Sequence, residues 1–406
     1  MQIIESITNK EKPLDHKSTI QKICFDKLKV TPLPNKKNEI WRMASKTKLA
    51  SFLNYKLSDD FHDPVIPYDT ANQDFLRIII GEHQNINYID ENYEIKILEE
   101  EEIVNLIKEK IIDCDTTTNW SNLLNHCLTK KRNILGLNIS GQKIPYIEII
   151  SNSKYDLFSS KTLIINIDKD TNADITQINL GDENSALSAS SYLFIGKNSS
   201  VNHGIVSYGE KKSYIINSLN VFQDKDSEYN LGSLQFKFNF ARLEIDVNQT
   251  EGNAKTKIKG MQITKDNEQI STYAKIKFNG PNGYLDQLNK SLAKDRSHSV
   301  FEGLIIVPQI AQKTDASQLS RNLLLSNHAR IDTKPQLEII ADDVKCMHGA
   351  TISQLNENEL FYMRSRGLTQ EQASKLQLRS YYQEIISFLP ISKERWDLLS
   401  LLLQNQ

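Results

Sequence analysis

The chain has 406 residues, with 49 basic and 51 acidic side chains and a formal net charge of -2. That balance gives no global field to attract nucleic acid or a membrane surface, and neither is expected as a partner. Hydrophobic residues make up 39%, and the 15 glycines bring the apolar share only a little below the globular norm of about 45–50%. With an ordinary 25% of charged residues, this excludes disorder and points to a thin core. No stretch approaches the roughly 18 apolar residues that span a bilayer. Met1 to His16 shows neither an apolar signal core nor an Arg-rich amphipathic pattern, so a soluble cytoplasmic protein is expected. Cys24, Cys114, Cys127 and Cys346 are far apart, with no C-x-x-C among them, which argues against a disulfide framework and against a zinc finger.

The first third reads as helical and irregular. After Pro32 and Pro34, Asn38 opens a run of Ile40, Trp41, Met43, Ala44, Leu49, Ala50, Phe52 and Leu53 that fits one amphipathic helix. A second helix is expected from Ile97 to Ile112, and a third from Trp120 to Leu128 with Leu123, Leu124 and Cys127 on one side. Near residue 135 the period changes to short alternating segments. Examples are Thr162–Ile167, Ser191–Ile195, Tyr214–Asn217, Leu234–Phe238, Leu243–Val247, Thr272–Ile276 and Leu304–Val307, separated by Asn, Asp, Ser and Lys corners. Some 200 residues of strand are too many for one sandwich, which leaves a barrel or sandwich pair or a β-solenoid. No fixed-length repeat stands out, but the thin core favours the solenoid. After Gly349 the helical period returns: a helix ended by Gly367, a long helix from Gln370 to Phe388 stopped by Pro390, and an amphipathic segment from Lys393 to Leu403. The expected organisation is an N-terminal helical region over 1–135, a β core over 136–352 and a C-terminal helical region over 353–406.

Standard catalytic signatures are missing. There is no phosphate loop, H-E-x-x-H, G-x-S-x-G or G-x-G-x-x-G, so neither ATP hydrolysis nor Rossmann-type dinucleotide binding is expected. The segment that stands out is Pro335–Thr351. Its first part reads as a strand, Asp342-Asp343 as a corner, and the following strand puts Val344, Cys346 and His348 on one face with Lys345 and Met347 on the other. Residues two apart on a strand lie roughly 7 Å apart, close enough for a thiolate and an imidazole to lean toward one metal ion or cluster edge. A Cys–His nucleophile pair and ordinary packing of a thiol beside a core histidine fit the same spacing. Two ligands do not complete a site, so a metal role needs a partner chain or a distant residue. Gly349 suggests close approach of another backbone. Tyr362, Arg364 and Arg366, just before Gly367, suit a protein interface. His203, His298 and His328 are expected at the surface.

Several segments together resemble the C-terminal signature of the SufB/SufD family of iron–sulfur cluster assembly proteins. They are Phe301-Glu-Gly303, Gln312–Ala316, Gln318, Asn322–Ser326, Pro335–Glu338, Asp343–Thr351 and Phe361–Gly367. The Asp-Val-Lys-Cys-x-His-Gly-Ala-Thr form is similar to the SufD branch, whereas the SufB branch carries a Glu-His-Glu-Ala run there. Asn38-Glu-Ile-Trp-Arg42 resembles an N-terminal Glu-x-Trp-Arg element of the same branch. The resemblance implies a right-handed parallel β-helix between helical ends, a mainly β fold. It also implies a heterodimer with SufB through the β-helices, and docking of the SufC ATPase on the region around 355–400. A homodimer is the implied alternative when SufB is absent. Cys346 and His348 match the family's Cys-x-His and become the expected metal or cluster ligands, with His348 the stronger. Family members often carry Ser where Met347 stands. The implied role is a non-catalytic scaffold with a part in iron entry, binding no cofactor stably alone, with iron or a nascent cluster at the SufB interface. A SufB-like scaffold holding a cluster itself is disfavoured by the scattered thiols. A carbohydrate-active β-helix enzyme is disfavoured by the spacing of the acids.

Overall fold

The computed structural model describes residues 18–58, 75–81, 94–142, 144–391 and 396–404. Met1–His16 and the start of the Lys393–Leu403 segment lie outside them. Sixteen strands follow one another from Ile134 to Ser353. They alternate between two sheets, which hold ten and nine strands among the described residues. Each strand pairs in parallel with the strand two further along the chain. Phe158 is in register with Ala186, and Ala186 with Tyr214. On the second sheet Asn172 aligns with Ser200, and Ser200 with Glu228. This is a parallel β-solenoid of about eight turns whose early coils are each 28 residues long, as those pairings show. Later coils vary, from 26 residues between Tyr214 and Phe240 to 32 between His298 and Arg330.

A 28-residue repeat therefore exists in the early coils, although none stands out in the sequence. Its anchor is the corner. Asp156, Asp170, Asn184, Asn198, Lys212 and Asp226 all have φ between 53° and 61°, and they recur every 14 residues, once per half coil. Asp and Asn tolerate this left-handed conformation better than most side chains, so the short polar residue marks the bend. The following Ser closes the corner: Ser185 Oγ donates to the Asp182 carbonyl at 2.6 Å and Ser227 Oγ to that of Asp224 at 2.7 Å. Corners of successive coils are stitched together by Asn184 to Asp156 at 2.8 Å and Asn198 to Asp170 at 2.7 Å. At the left-handed position the repeat is one of backbone conformation and polar class, while the residue after it is Ser at 185, 199, 213 and 227.

Between the sheets runs a narrow apolar core that includes Ile149, Ile175, Leu193, Leu243, Ile276 and Phe301. Both outer faces are covered as well, which makes most strands buried on both sides. On the first sheet sits an N-terminal helical layer of α1 (Thr19–Val30), α2 (Lys46–Phe52), α3 (Glu100–Ile112) and α4 (Trp120–Leu128). Trp120, Leu123 and Leu124 pack there against Phe158, Ile164 and Tyr214. The Asn125 side chain is bonded into the sheet: its amide donates to the carbonyls of Lys161 and Ser188, and its oxygen accepts from Thr162. The second sheet is covered by α6 (Gln370–Ile386) and α7 (Leu398–Gln404), preceded by α5 (Glu357–Ser365). Tyr382, Ile385 and Leu389 meet Val206, Leu234 and Met261.

Several local expectations are corrected. The Asn38 run is not one helix. A 3-10 turn at Glu39–Trp41 is followed by α2, because the Ser45 side chain accepts from Lys48 N–H and starts a new helix there. Helix α1, capped by the reciprocal Ser18–Gln21 pair, was not anticipated. Ile95–Ile97 is a strand pairing antiparallel with Ile134–Ile139, and α3 begins only at Glu100. Helix α4 is buried all round rather than on one side. His203 is not at the surface but in the core, where Tyr229 bonds its Nδ1 at 2.8 Å and burial pushes its pKa down to about 3. His298 is largely buried beside Asp332 at 2.6 Å, while His328 is exposed as expected.

Candidate functional site

The solenoid ends in two strands, Arg330–Ile339 on the first sheet and Lys345–Ser353 on the second. Each is the terminal strand of its sheet. Strand ends of this kind present a row of unpaired N–H and C=O groups, a template for another chain. The corner between them is fixed as a corner should be: Lys313 N–H donates to the Asp343 carbonyl, and Asp343 N–H to Gln312 Oε1. Along this end the surface is apolar at Ile339, Ile340, Met347 and Ile352, with Ile340 66% and Met347 64% exposed. Bulky apolar side chains at that exposure mark an interaction surface when they are contiguous with open strand edges.

Cys346 and His348 sit on the Lys345–Ser353 strand, in register with Ala316 and Gln318 of the coil below. Cys346 is half-buried against the axial core. Burial pushes its thiol pKa up, reinforced by the Asp315 carboxylate and opposed by a hydrogen bond with the Ala316 main chain. A thiol held protonated is a poor nucleophile at neutral pH. His348 lies two residues on and is exposed at the rim. The pair is therefore brought to one face, with the imidazole accessible and the thiol behind it. No group of three or more His, Cys, Asp or Glu placed to hold a metal occurs among the described residues. Among the described residues no backbone approaches Gly349: a Cβ there would meet only the Leu319 side chain, at 3.2 Å.

The remaining interface candidates lie on α5. Asn356 caps its first turn, accepting from the N–H groups of Asn358 and Glu359. At its end Gly367 takes φ 95°, Gly367 N–H donates to the Arg364 carbonyl, and Leu368 N–H donates to that of Met363. This is a Schellman closure, which needs a left-handed residue at Gly367. Leu360 alone anchors the helix inward, leaving Phe361 71% exposed and Tyr362 60% exposed. The Arg366 guanidinium lies over the Tyr362 ring, 5.3 Å from its centroid. Phe361, Arg364, Leu368 and Gln370 line an open pocket of about 530 Å³. Tyr362, Arg364 and Arg366 are all exposed, but Tyr362 and Arg366 stack together while Arg364, two residues from each, lines the Phe361–Leu368 side.

Two further groupings are invisible in linear order. Cys24, Cys114 and Cys127 gather in the N-terminal helical layer, where burial first, then the neighbouring thiols, push the Cys24 pKa far up. Burial pushes Cys127 up to about 12. The Glu39-Ile-Trp41-Arg42 element folds onto the solenoid, with Glu39 ion-paired to Lys334 on the terminal strand. Only contact between sequence-distant segments reveals either.

Among the described residues no helix is long and apolar enough to cross a membrane. A family model described as "SUF system FeS cluster assembly, SufBD core domain" matches residues 149–381. An iron–sulfur cluster assembly SufBD family protein of Synechocystis is 38% identical over 202 residues, 50% of this chain and 45% of the relative. The Arabidopsis thaliana protein ABCI7, chloroplastic, is 34% identical over 197 residues, 48% of this chain and 42% of the relative. The iron–sulfur cluster assembly protein SufD of Escherichia coli is 39% identical over 137 residues, 34% of this chain and 32% of the relative. The matched segments span less than half the length of each of these relatives. Because the family model covers more than half of the chain, including most of the β-solenoid, the chain belongs to the SufBD core-domain family of the SUF system.

Proposed function

We propose that this chain is a SufD-type binding and positioning subunit of an iron–sulfur cluster assembly complex, without catalytic chemistry of its own. In this reading the open solenoid end joins the corresponding end of a SufB partner. The exposed α5 surface and the helices after it dock a SufC ATPase, whose nucleotide-driven movement reaches the solenoid through them. His348 and, behind it, Cys346 line the junction where iron enters, and ligands from SufB complete the site. Without SufB, the same end pairs with a second copy of this chain.

The observation that carries the reading is the coincidence of three features at one end of the fold: two terminal strands, an apolar surface around Ile340 and Met347, and a Cys-x-His pair. Iron here is cargo, and the donor set is chemically suited to it. A neutral imidazole is a good iron ligand, and a thiolate is the usual ligand of an iron–sulfur cluster. Two donors on one strand leave coordination positions for a second chain. The test is a His348→Ala variant, produced together with SufB and SufC and titrated anaerobically with ferrous iron. The complex should assemble while its iron affinity falls; unchanged affinity removes His348 from the role given to it.

A further inference from the structure

A polar column inside the solenoid leads to His348. Gln287, Gln318 and His348 occupy one register position on three successive coils of the second sheet. Adjacent strands stand about 4.8 Å apart, so each side chain faces the next along the solenoid axis. Gln318 is fully buried, and its Nε2 donates to Gln287 Oε1 at 2.8 Å. In a primary amide the oxygen and the nitrogen diverge, so one that donates toward the coil below turns its oxygen toward the coil above. Stacked Gln and Asn side chains run in ladders for this reason. The coil above carries His348. Gln318 Oε1 has no hydrogen-bond partner although it is completely buried. Buried acceptors in native structures are nearly always paired, so this atom calls for a donor.

Gly303 is shaped around the same amide. A Cβ at Gly303 would stand 2.3 Å from Gln318 Nε2 and 2.9 Å from Oε1. Only glycine on the facing sheet leaves room for the Gln318 amide to lie across the interior. Gln287 from below and Gly303 from the side therefore hold Gln318 in one orientation, with its free oxygen as the remaining functional atom.

We propose that Gln318 is the positioning residue for His348. Its Oε1 accepts an N–H from the imidazole when the ring turns inward, which fixes one tautomer and leaves the other ring nitrogen bare at the open end. Ligating histidines characteristically donate their second N–H to a carbonyl or carboxylate, and losing that partner weakens metal binding by about 10–100-fold. This inference rests on His348 being an iron ligand, and it assigns the ligating state to the oxygen of Gln318.

The test uses the full-length chain with ¹⁵N-labelled histidine, together with anaerobic ferrous iron titration of the complex it forms with SufB and SufC. His348→Ala identifies the His348 signals. In the parent chain those signals should report a single tautomer. Gln318→Met keeps the volume but removes the acceptor; it should give mixed tautomers at His348 and an iron affinity about 10–100-fold weaker. If Gln318→Met does not fold, Gln287→Met frees the Gln318 amide to flip, and the same two signals should shift in the same direction. Should His348→Ala weaken iron binding while the Gln318 variant, or Gln287→Met in its place, leaves tautomer and affinity unchanged, Gln318 has no positioning role and the ligand assignment stands. Should His348→Ala itself leave affinity unchanged, the ligand assignment fails.

Discussion

Arg242 places its guanidinium 4.1 Å from the centre of the Trp41 ring, so a residue of the Glu-Ile-Trp-Arg element is clamped onto the middle of the solenoid. The same guanidinium bonds Glu244 at 2.6 Å, and both side chains are almost entirely buried. Removing one member of a buried ion pair leaves the other charged and unpaired, which costs about 3–5 kcal/mol. Arg242→Met should therefore lower the unfolding free energy by that amount in denaturant titration, and a loss below about 1 kcal/mol would show that the clamp is not built on this pair. The exposed Glu39–Lys334 pair makes the contrast: Glu39→Gln should cost less than about 1 kcal/mol and depend on salt. Glu39's carboxyl is held below its ordinary range by the Lys334 hydrogen bond and charge, so that small contribution is present at neutral pH and fades as pH falls through the lowered pKa.

Acid should act on the fold through two buried histidines. Burial pushes His126 down to about 4 and His203 to about 3, and each ring is bonded to a tyrosine hydroxyl. The unfolded chain then binds protons that the folded chain refuses. Their contribution to stability is full above about pH 6.5 and is lost as pH falls toward 4. A His126→Gln, His203→Gln double variant should lose less stability between pH 6.5 and pH 4 than the parent, by about 3 kcal/mol per histidine. Parallel unfolding curves for parent and variant across that range would contradict the assignment.

Association and folding should separate at the open end. Ile340 is exposed and supports no core contact, so Ile340→Asp should change stability by no more than about 0.5 kcal/mol. It should nonetheless prevent end-to-end association, because it buries an unpaired charge beside strand edges that would otherwise pair. Size exclusion with SufB reads the effect: the parent should elute as a pair and the variant alone. Co-elution of the variant would move the interface elsewhere.

The succession of helices, strands and helices could be read from hydrophobic periodicity alone, since β-branched residues alternating between polar corners have few other solutions. What stayed hidden was the coil length. Its marker is a left-handed corner filled in turn by Asp, Asn and Lys, and the one identity that recurs there, Ser at 185, 199, 213 and 227, is lost among the chain's many other serines. The Asn38–Leu53 run failed for a local reason: Ser45 competes for a backbone N–H and restarts the helix, which apolar spacing does not register. His203 was misplaced although it alternates with Val201 and Ile205 on one strand face, because its hydrogen-bond partner Tyr229 comes from the next coil and only the fold brings it near. The Cys346–His348 pair was legible, as alternation on one strand fixes which residues share a face. Gln318 was not, because its meaning depends on Gly303 and Gln287, which only the solenoid brings against it.

The central claim is that this chain is a partner subunit that works at its open solenoid end. Co-production with SufB and SufC, followed by size exclusion and mass measurement of the eluted species, tests it most directly. The account predicts one complex containing all three proteins, which loses SufB with Ile340→Asp and loses SufC when Phe361 and Tyr362 are replaced by Ala. Elution of the parent chain free of both proteins would contradict it.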